Sequence, residues 1–368
     1  MATKVTTKKK PVAQAVVAEL EKGKTKKVAK YITTGSTLRD LELGGMKGAM
    51  GYRVGSIYNI VGDSSSGKTF FAVQSIVANY FKYGDSFKWV YDDAENGFSF
   101  DVQHMYGMDK PIISDDMPHS STVEELYSNV RKFTDSLKSK EIGFYVIDSL
   151  DGLTSKATVD RGNERYKKSL DGKEFTDGTY AMDKQKFLSQ EFFPDIASRI
   201  EGTNVVLVII SQVRDKINAS MFEKKQVRSG GRALQFYCRG VEWIATIQKR
   251  EMEDEASGLR SGMPVLIDND KLKAPRPYRK CVQILDFSIG VDDIASNIDF
   301  LYDLRTDKSR KLRPTKQHKL DWDEMLLQRD DLCQHIYDNE LEAELKTRVV
   351  AKWEEQEDRL NNTRKARF

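Results

Sequence analysis

The sequence predicts an α/β protein built on a mainly parallel β-sheet flanked by helices, and three observations carry that prediction. The first is a set of apolar runs, several of them continuous: Val205-Val206-Leu207-Val208-Ile209-Ile210 is apolar on both faces. A strand with two apolar faces belongs in the middle of a sheet covered on both sides. The second is the length of the helical stretches between the runs, which suits right-handed crossovers. The third is Gly62–Thr69, a glycine- and serine-rich turn that joins an apolar strand to a helix.

In chain order, residues 1–30 read as a basic arm, with nine lysines facing only Glu19 and Glu21. Within it, residues 11–20 (PVAQAVVAEL) can form a short helix whose Val16, Val17 and Leu20 would dock on another protomer. Residues 31–292 read as the core. Its strand candidates are Ser56–Val61, Phe87–Tyr91, Gly143–Ile147, Asn204–Ile210, Val241–Gln248, Met263–Ile267 and Cys281–Phe287. Between them, Thr69–Tyr83, Val123–Leu137 and Met182–Ile200 have helical pattern and length. From 293 to 368 the texture becomes that of a small, mostly helical region. Ala295–Leu304 is its first helix, a polar segment runs from Thr306 to Lys319, and a charge-balanced stretch then carries Leu341, Leu345, Val349 and Trp353 at helical spacing.

Composition bounds the function. At 368 residues the chain suits one large domain with appendages, and 39% hydrophobic with 31% charged residues excludes a disordered chain. No apolar run approaches the roughly 20 residues that cross a bilayer, and MATKVTTKKKP lacks a signal-peptide core, so a cytoplasmic protein without a membrane partner is expected. Cys238, Cys281 and Cys333 are scattered, which fits a reducing compartment. His318, Cys333 and His335 lack a paired-cysteine spacing, so no zinc site is expected there. A net charge of +3 excludes a uniformly basic coat but is silent on where charge sits.

Gly62-Asp63-Ser64-Ser65-Ser66-Gly67-Lys68-Thr69 matches the pattern G-x-x-x-x-G-K-[ST] in its strand-to-helix context. The glycines let successive backbone N–H groups turn toward phosphate oxygens, and the helix that follows presents its positive end. Lys68 supplies a point charge to β/γ-phosphates and Thr69 a hydroxyl ligand for Mg²⁺, so ATP with Mg²⁺ is the expected nucleotide. The strand Gly143–Ile147 ends in Asp148, a carboxylate suited to the same metal. Hydrolysis also requires a group to orient or deprotonate water. Asp92, Asp93 and Glu95 follow one strand and Gln212 follows another, all at the carboxyl edge where ligands bind in such sheets. By position alone any of the three carboxylates would serve.

Taken together these segments resemble the RecA-type recombinases, especially their bacteriophage, UvsX-like branch. The resemblance rests on Ile32–Ser36 with Leu41–Gly45, the phosphate loop, Asp93-Ala94-Glu95, Ile147–Leu150 with Leu153–Lys156, Ile210–Arg214, and Gly230-Gly231-Arg232-Ala233-Leu234-Gln235-Phe236-Tyr237. They stand in the family's order over about residues 31–290. The resemblance implies a RecA-like ATPase core in which Glu95 is the catalytic base, Asp93 is structural, Asp148 reaches Mg²⁺, and Gln212 senses the γ-phosphate. Lys271 would reach a neighbour's nucleotide, with Asn269 where a second lysine often stands. Ser99 and Val102 replace the residues that would contact adenine.

Two DNA-binding loops are implied as well. The first covers about 159–180 and carries Arg161, Arg165, Lys167 and Lys168, with Lys186 on the helix after it. The second covers 213–231 and carries Arg214, Lys216, Met221, Phe222, Lys224, Lys225 and Arg228 before Gly230 and Gly231. Basic groups that track phosphates beside an apolar wedge suit single-stranded DNA without sequence preference, whereas each cation taken singly is equally a solvated surface charge. The implied function is an ATP-dependent recombinase that forms helical filaments of itself on single-stranded DNA and pairs it with homologous duplex DNA. Single-stranded-DNA-binding and mediator proteins are further partners, and a phage-encoded member would work in the bacterial host cytoplasm. Two other readings share the core: a hexameric DNA helicase motor, and a non-catalytic, nucleotide-gated DNA-binding mediator. Against the first stand Asp93-Ala94-Glu95, the Gly230–Tyr237 closure and the expected absence of a separate N-terminal primase-binding domain, and the second would have no use for Glu95.

Overall fold

The computed structural model describes residues 30–44, 49–171, 183–215, 226–228, 231–247, 252–253, 257–274, 276–304, 319–362 and 364. The basic arm ahead of Lys30 and most of the polar segment before Lys319 therefore lie outside the described residues.

The first strands, β1 (Tyr31–Ile32) and β2 (Tyr52–Arg53), pair antiparallel at the entrance to the core. Between them the helix Thr37–Gly44 is wholly buried and held by charge: Arg39 donates to Glu242 at 2.6 Å with both side chains fully buried. The main sheet holds nine strands among the described residues. They are β3 (Ser56–Gly62), β4 (Phe87–Asp93), β5 (Ile142–Asp148), β6 (Val205–Asp215), β7 (Gln226–Arg228), β8 (Gly240–Thr246), β9 (Gly262–Leu272), β10 (Lys280–Asp286) and β11 (Gly290–Asp292). Their order is β11-β10-β9-β8-β3-β6-β5-β4, with β7 paired to the far end of β6.

The strands from β8 to β4 are parallel, as the two-faced apolar runs predict. On one face Tyr58, Ile60, Phe144, Val146, Val206, Val208 and Ile210 pack against Phe71, Ala72 and Ile76 of the helix Lys68–Tyr83. On the other, Ile57, Tyr145, Ile147, Val205, Leu207 and Ile209 meet Val123, Leu126 and Val130 of the helix Val123–Ser136, and Phe193 and Ile196. Strand alternation thus divides one continuous apolar run between two cores. Thr122 and Glu125 close the start of the helix Val123–Ser136 with a reciprocal capping box.

Two features differ from the sequence reading. Strands β9, β10 and β11 extend the sheet antiparallel, and the β9–β10 and β10–β11 links are shorter than the dozen or more residues a parallel crossover needs. The helix read over Met182–Ile200 is segmented: Asp183–Phe187 is α-helical, Leu188–Phe192 widens by one turn of π-helix, and Phe193–Ile200 resumes with Pro194 in its first turn.

The C-terminal region is mostly helical with one small hairpin, β12 (Leu320–Trp322) and β13 (Met325–Leu327). The helices Asp293–Leu301, Arg329–Asp338 and Glu342–Arg359 surround it. The stripe read at helical spacing is the packed one, since Leu345, Val349 and Trp353 are buried. Arg276 and Arg279 clamp Glu357 at 2.5 and 2.7 Å, tying the last helix to the β9–β10 turn. Among the described residues no helix is long and apolar enough to cross a membrane, and no cluster of metal-ligating side chains stands out.

Candidate nucleotide site and the segments around it

The phosphate loop leaves β3 at the carboxyl edge of the sheet and enters the helix at Lys68. Its two outer positions require glycine. At Gly62 a Cβ would lie 2.4 Å from Ser66 Oγ and 2.7 Å from the Ile244 carbonyl, and Gly67 sits at φ +95°, in the left-handed region. Lys68 folds over the loop and donates to the carbonyls of Gly62 (3.0 Å) and Asp63 (2.6 Å). Burial pulls its ammonium below the ordinary lysine range, against the pull of Asp148 and Glu95.

Asp148 ends β5 directly beside the loop. Its Oδ2 accepts from Thr69 Oγ1 at 2.8 Å and from the Tyr91 hydroxyl at 2.5 Å. Burial raises its carboxyl above the usual aspartate range, Tyr91 and Thr69 oppose that rise through their hydrogen bonds, and Glu95 and Asp93 add to it. Paired oxygen donors from a hydroxyl and a carboxylate make a set that fits a hard divalent cation such as Mg²⁺.

The three carboxylates after β4 differ in what they hold. Asp92 is fully buried and accepts from Ser120 N (2.7 Å), Ser120 Oγ (2.5 Å) and the Tyr145 hydroxyl (2.7 Å). Asp93 accepts backbone N–H groups of Glu95, Gly97 and Phe98 and so shapes the turn. Glu95 alone of the three turns toward the other strand ends: its Oε1 accepts from Gln212 Nε2 at 2.8 Å and from Ser149 Oγ. Gln212 is fixed in turn by its backbone N–H, which donates to Asp151 at 2.8 Å. Lys68, Thr69, Asp148, Glu95 and Gln212 thus converge at one edge of the sheet.

Tyr91 and Ser149 belong to this cluster and the sequence reading passed over them. A signal existed in each: both are hydroxyl residues flanking the two edge carboxylates on neighbouring strands, paired in register at Asp93 and Asp148.

Of the segments read as DNA loops, the described parts are regular, and residues 172–182, 216–225 and 229–230 lie outside the described residues. Residues 156–170 of the first form a helix, Lys156–Leu170, started by Ser155, whose side chain accepts from Thr158 N. No residue of that helix is buried, and Tyr166 and Leu170 are 68% and 70% exposed. Arg161 pairs with Asp183 at 2.6 Å, Arg165 is half-buried, and Lys167, Lys168 and Lys186 are exposed. The second loop starts and ends as a hairpin stem in which Val213 pairs with Arg228 and Asp215 with Gln226. Lys216, Met221, Phe222, Lys224, Lys225 and Gly230 lie outside the described residues, as does the side chain of Arg214. Gly231, at φ +63°, opens the helix Gly231–Tyr237.

Arg228 is half-buried, and its Nη1 donates to Asn59 Oδ1 at 2.7 Å. Lys271 donates to the carbonyls of Gln235 and Phe236, at the end of the helix Gly231–Tyr237. Asn269, beside it on β9, is fully buried.

Comparison with known proteins bears on the whole core. A model of the RecA N-terminal domain matches residues 2–292. Protein RecA of Acinetobacter baylyi is 26% identical over 303 residues, covering 79% of this chain and 78% of the relative. Protein RecA of Malacoplasma penetrans is 26% identical over 269 residues, covering 73% and 72%. Among solved structures, that of the RadB recombinase superposes with a TM-score of 0.43 at 15% identity, over 66% of this chain and 92% of that one.

Proposed function

The chain belongs to the RecA family, and on that premise we propose that it is a DNA-dependent ATPase that assembles on single-stranded DNA and exchanges it with a homologous duplex. The observation that carries the reading is the Glu95–Gln212 hydrogen bond of 2.8 Å, at the same sheet edge as Lys68, Thr69 and Asp148. A binding-only protein has no use for a carboxylate aimed at that edge.

In this mechanism the loop N–H groups and Lys68 bind the phosphates of ATP. Thr69 and Asp148 would hold Mg²⁺, which supplies charge neutralisation at the transferring phosphoryl group. Glu95 orients the attacking water and takes its proton. Ser149 and Gln212 fix the Glu95 carboxylate in place. The Gln212 amide has one position and two claims on it, Glu95 and a γ-phosphate oxygen. Its choice is felt at Val213, one residue on, where the hairpin stem of the second loop begins.

The finer form of the proposal places ATP between adjacent protomers of a helical filament, with Lys271 facing the neighbour's nucleotide and the basic arm packed on the next protomer. The helix Lys156–Leu170 and the segment beyond the hairpin stem would track the DNA backbone. Single-stranded-DNA-binding and mediator proteins would load it. The UvsX-like phage branch, acting in the cytoplasm of a bacterial host, is the reading favoured by the order of the matching segments along the chain.

Measuring ATP turnover with and without single-stranded DNA, and imaging the same sample with a non-hydrolysable analogue, tests this. DNA-stimulated turnover with helical filaments is expected. Closed rings with directional unwinding would support a helicase instead. Glu95→Gln is expected to lower turnover by about 100-fold or more while retaining nucleotide binding; a normal rate in that variant would sink the assignment.

A further inference from the structure

Arg228 invites a different reading from that of a surface cation. It leaves the described end of the second loop and enters the core, where Asn59 receives it at 2.7 Å. Asn59 is fully buried in β3, the strand that runs into the phosphate loop. Its own amide donates to the Ile209 carbonyl (2.8 Å) and to Ser211 Oγ (2.9 Å), both on β6. The next residue after Ser211 is Gln212, which holds Glu95. A continuous set of hydrogen bonds therefore runs Arg228, Asn59, Ser211, and through the backbone to Gln212 and Glu95.

The position is also costly. Burial lowers the basicity of the guanidinium, and its Nη2 is buried with no hydrogen-bond partner among the described residues. Asp270 lies near enough to offset part of that cost, but among the described residues no carboxylate reaches hydrogen-bond distance of Arg228.

We propose that Arg228 is a positioning residue: by anchoring the returning strand of the second loop to Asn59, it sets the β6–β7 register at Val213↔Arg228 and thereby the aim of Gln212 at Glu95. This deepens the ATPase reading above and rests on it. It also predicts that loop order and turnover are coupled through the protein interior and not through a phosphate contact by Arg228.

The test uses the full-length protein with Arg228→Met, Arg228→Lys and Asn59→Ala, measured beside the wild type. Arg228→Met is expected to lower DNA-stimulated kcat about tenfold with KM for ATP changed by less than about twofold, since phosphate binding is untouched. Asn59→Ala, which cannot reach DNA, should give the same loss, and the double variant no further loss. Arg228→Lys keeps a donor and should recover part of the rate. The salt dependence of single-stranded DNA binding should be unchanged in Arg228→Met; a slope reduced by about 0.7 would mean a lost phosphate contact and would overturn the proposal. Circular dichroism melting verifies that each variant is folded.

A readout free of turnover separates the two layers. Amide hydrogen exchange at 213–215 and 226–228 should accelerate at least about tenfold in Arg228→Met and Asn59→Ala, with β3 unaffected. Unchanged exchange overturns the anchoring even if ATP hydrolysis is present. Accelerated exchange in a protein that hydrolyses nothing would retain the anchor and remove only the ATPase reading.

Discussion

Asp148 illustrates at the residue scale how a site for function is held against stability. Its carboxylate is buried, with its pKa raised chiefly by that burial, so keeping it charged at neutral pH costs folding free energy. The sign follows directly: because the folded-state value lies above the unfolded one, the folded protein binds the extra proton. Stability on this account is greatest below the ordinary aspartate value and declines as pH rises through the raised one. Asp148→Asn should therefore stabilise the protein at neutral pH by about 1 kcal/mol, lose that advantage as pH falls, and abolish Mg²⁺-dependent turnover. Thermal melting across pH 4–8, together with an ATPase assay, checks all three, and a destabilised variant at pH 7 would contradict them. The same scale shows where reading the sequence stops. Position along the strand makes Asp92, Asp93 and Glu95 equivalent, and their difference lies in which donors fill each carboxylate: Ser120 and Tyr145 for the first, three turn amides for the second, Ser149 and Gln212 for the third. Those donors come from distant segments, so spacing alone is blind to them. Arg228 is the sharper case, because its partner Asn59 is 169 positions away.

Among the elements, periodicity was most informative where burial is two-sided. Val205–Ile210 reads as a central strand because each face has its own core to fill, whereas the stripe of Leu345, Val349 and Trp353 reads as a helix because one face alone is packed. Trp353 packs on Phe300 at 5.6 Å between ring centres, and Trp353→Ala is expected to cost about 3–5 kcal/mol, read as a lower denaturant midpoint. Strand direction was less legible: β9 and β10 are as apolar as the parallel strands, and only the brevity of their connection dictates that they run antiparallel. The helix Lys156–Leu170 escaped because it has no buried stripe at all. Its signals were local, a Ser155 cap ahead of a run without proline, and such signals are weak beside a run of polar residues.

At the scale of the whole molecule, the net charge of +3 is an average over regions of different sign. Lysines crowd the arm and line the helix Lys156–Leu170, while Asp148, Asp151, Asp93 and Glu95 gather at the nucleotide edge. Binding to single-stranded DNA should consequently be steep in salt despite the small total. Replacing Lys167 and Lys186 together by alanine is expected to flatten the plot of log affinity against log salt by about 0.7 per lysine, with an unchanged slope excluding both from the contact. One architectural fact binds these regions. Strand β6 is paired with both β3 and β5 over Val206–Ile209 and with β3 alone as far as Gln212, and its far end, Val213–Asp215, pairs with β7. A load applied to the second loop along β6 would be met in shear by two ladders at once, the arrangement in which many hydrogen bonds must fail together. Tension would then be carried past Gln212 into the interior rather than dissipated by unravelling at the surface, so the strand serves as a stiff connecting rod as well as a wall of the core.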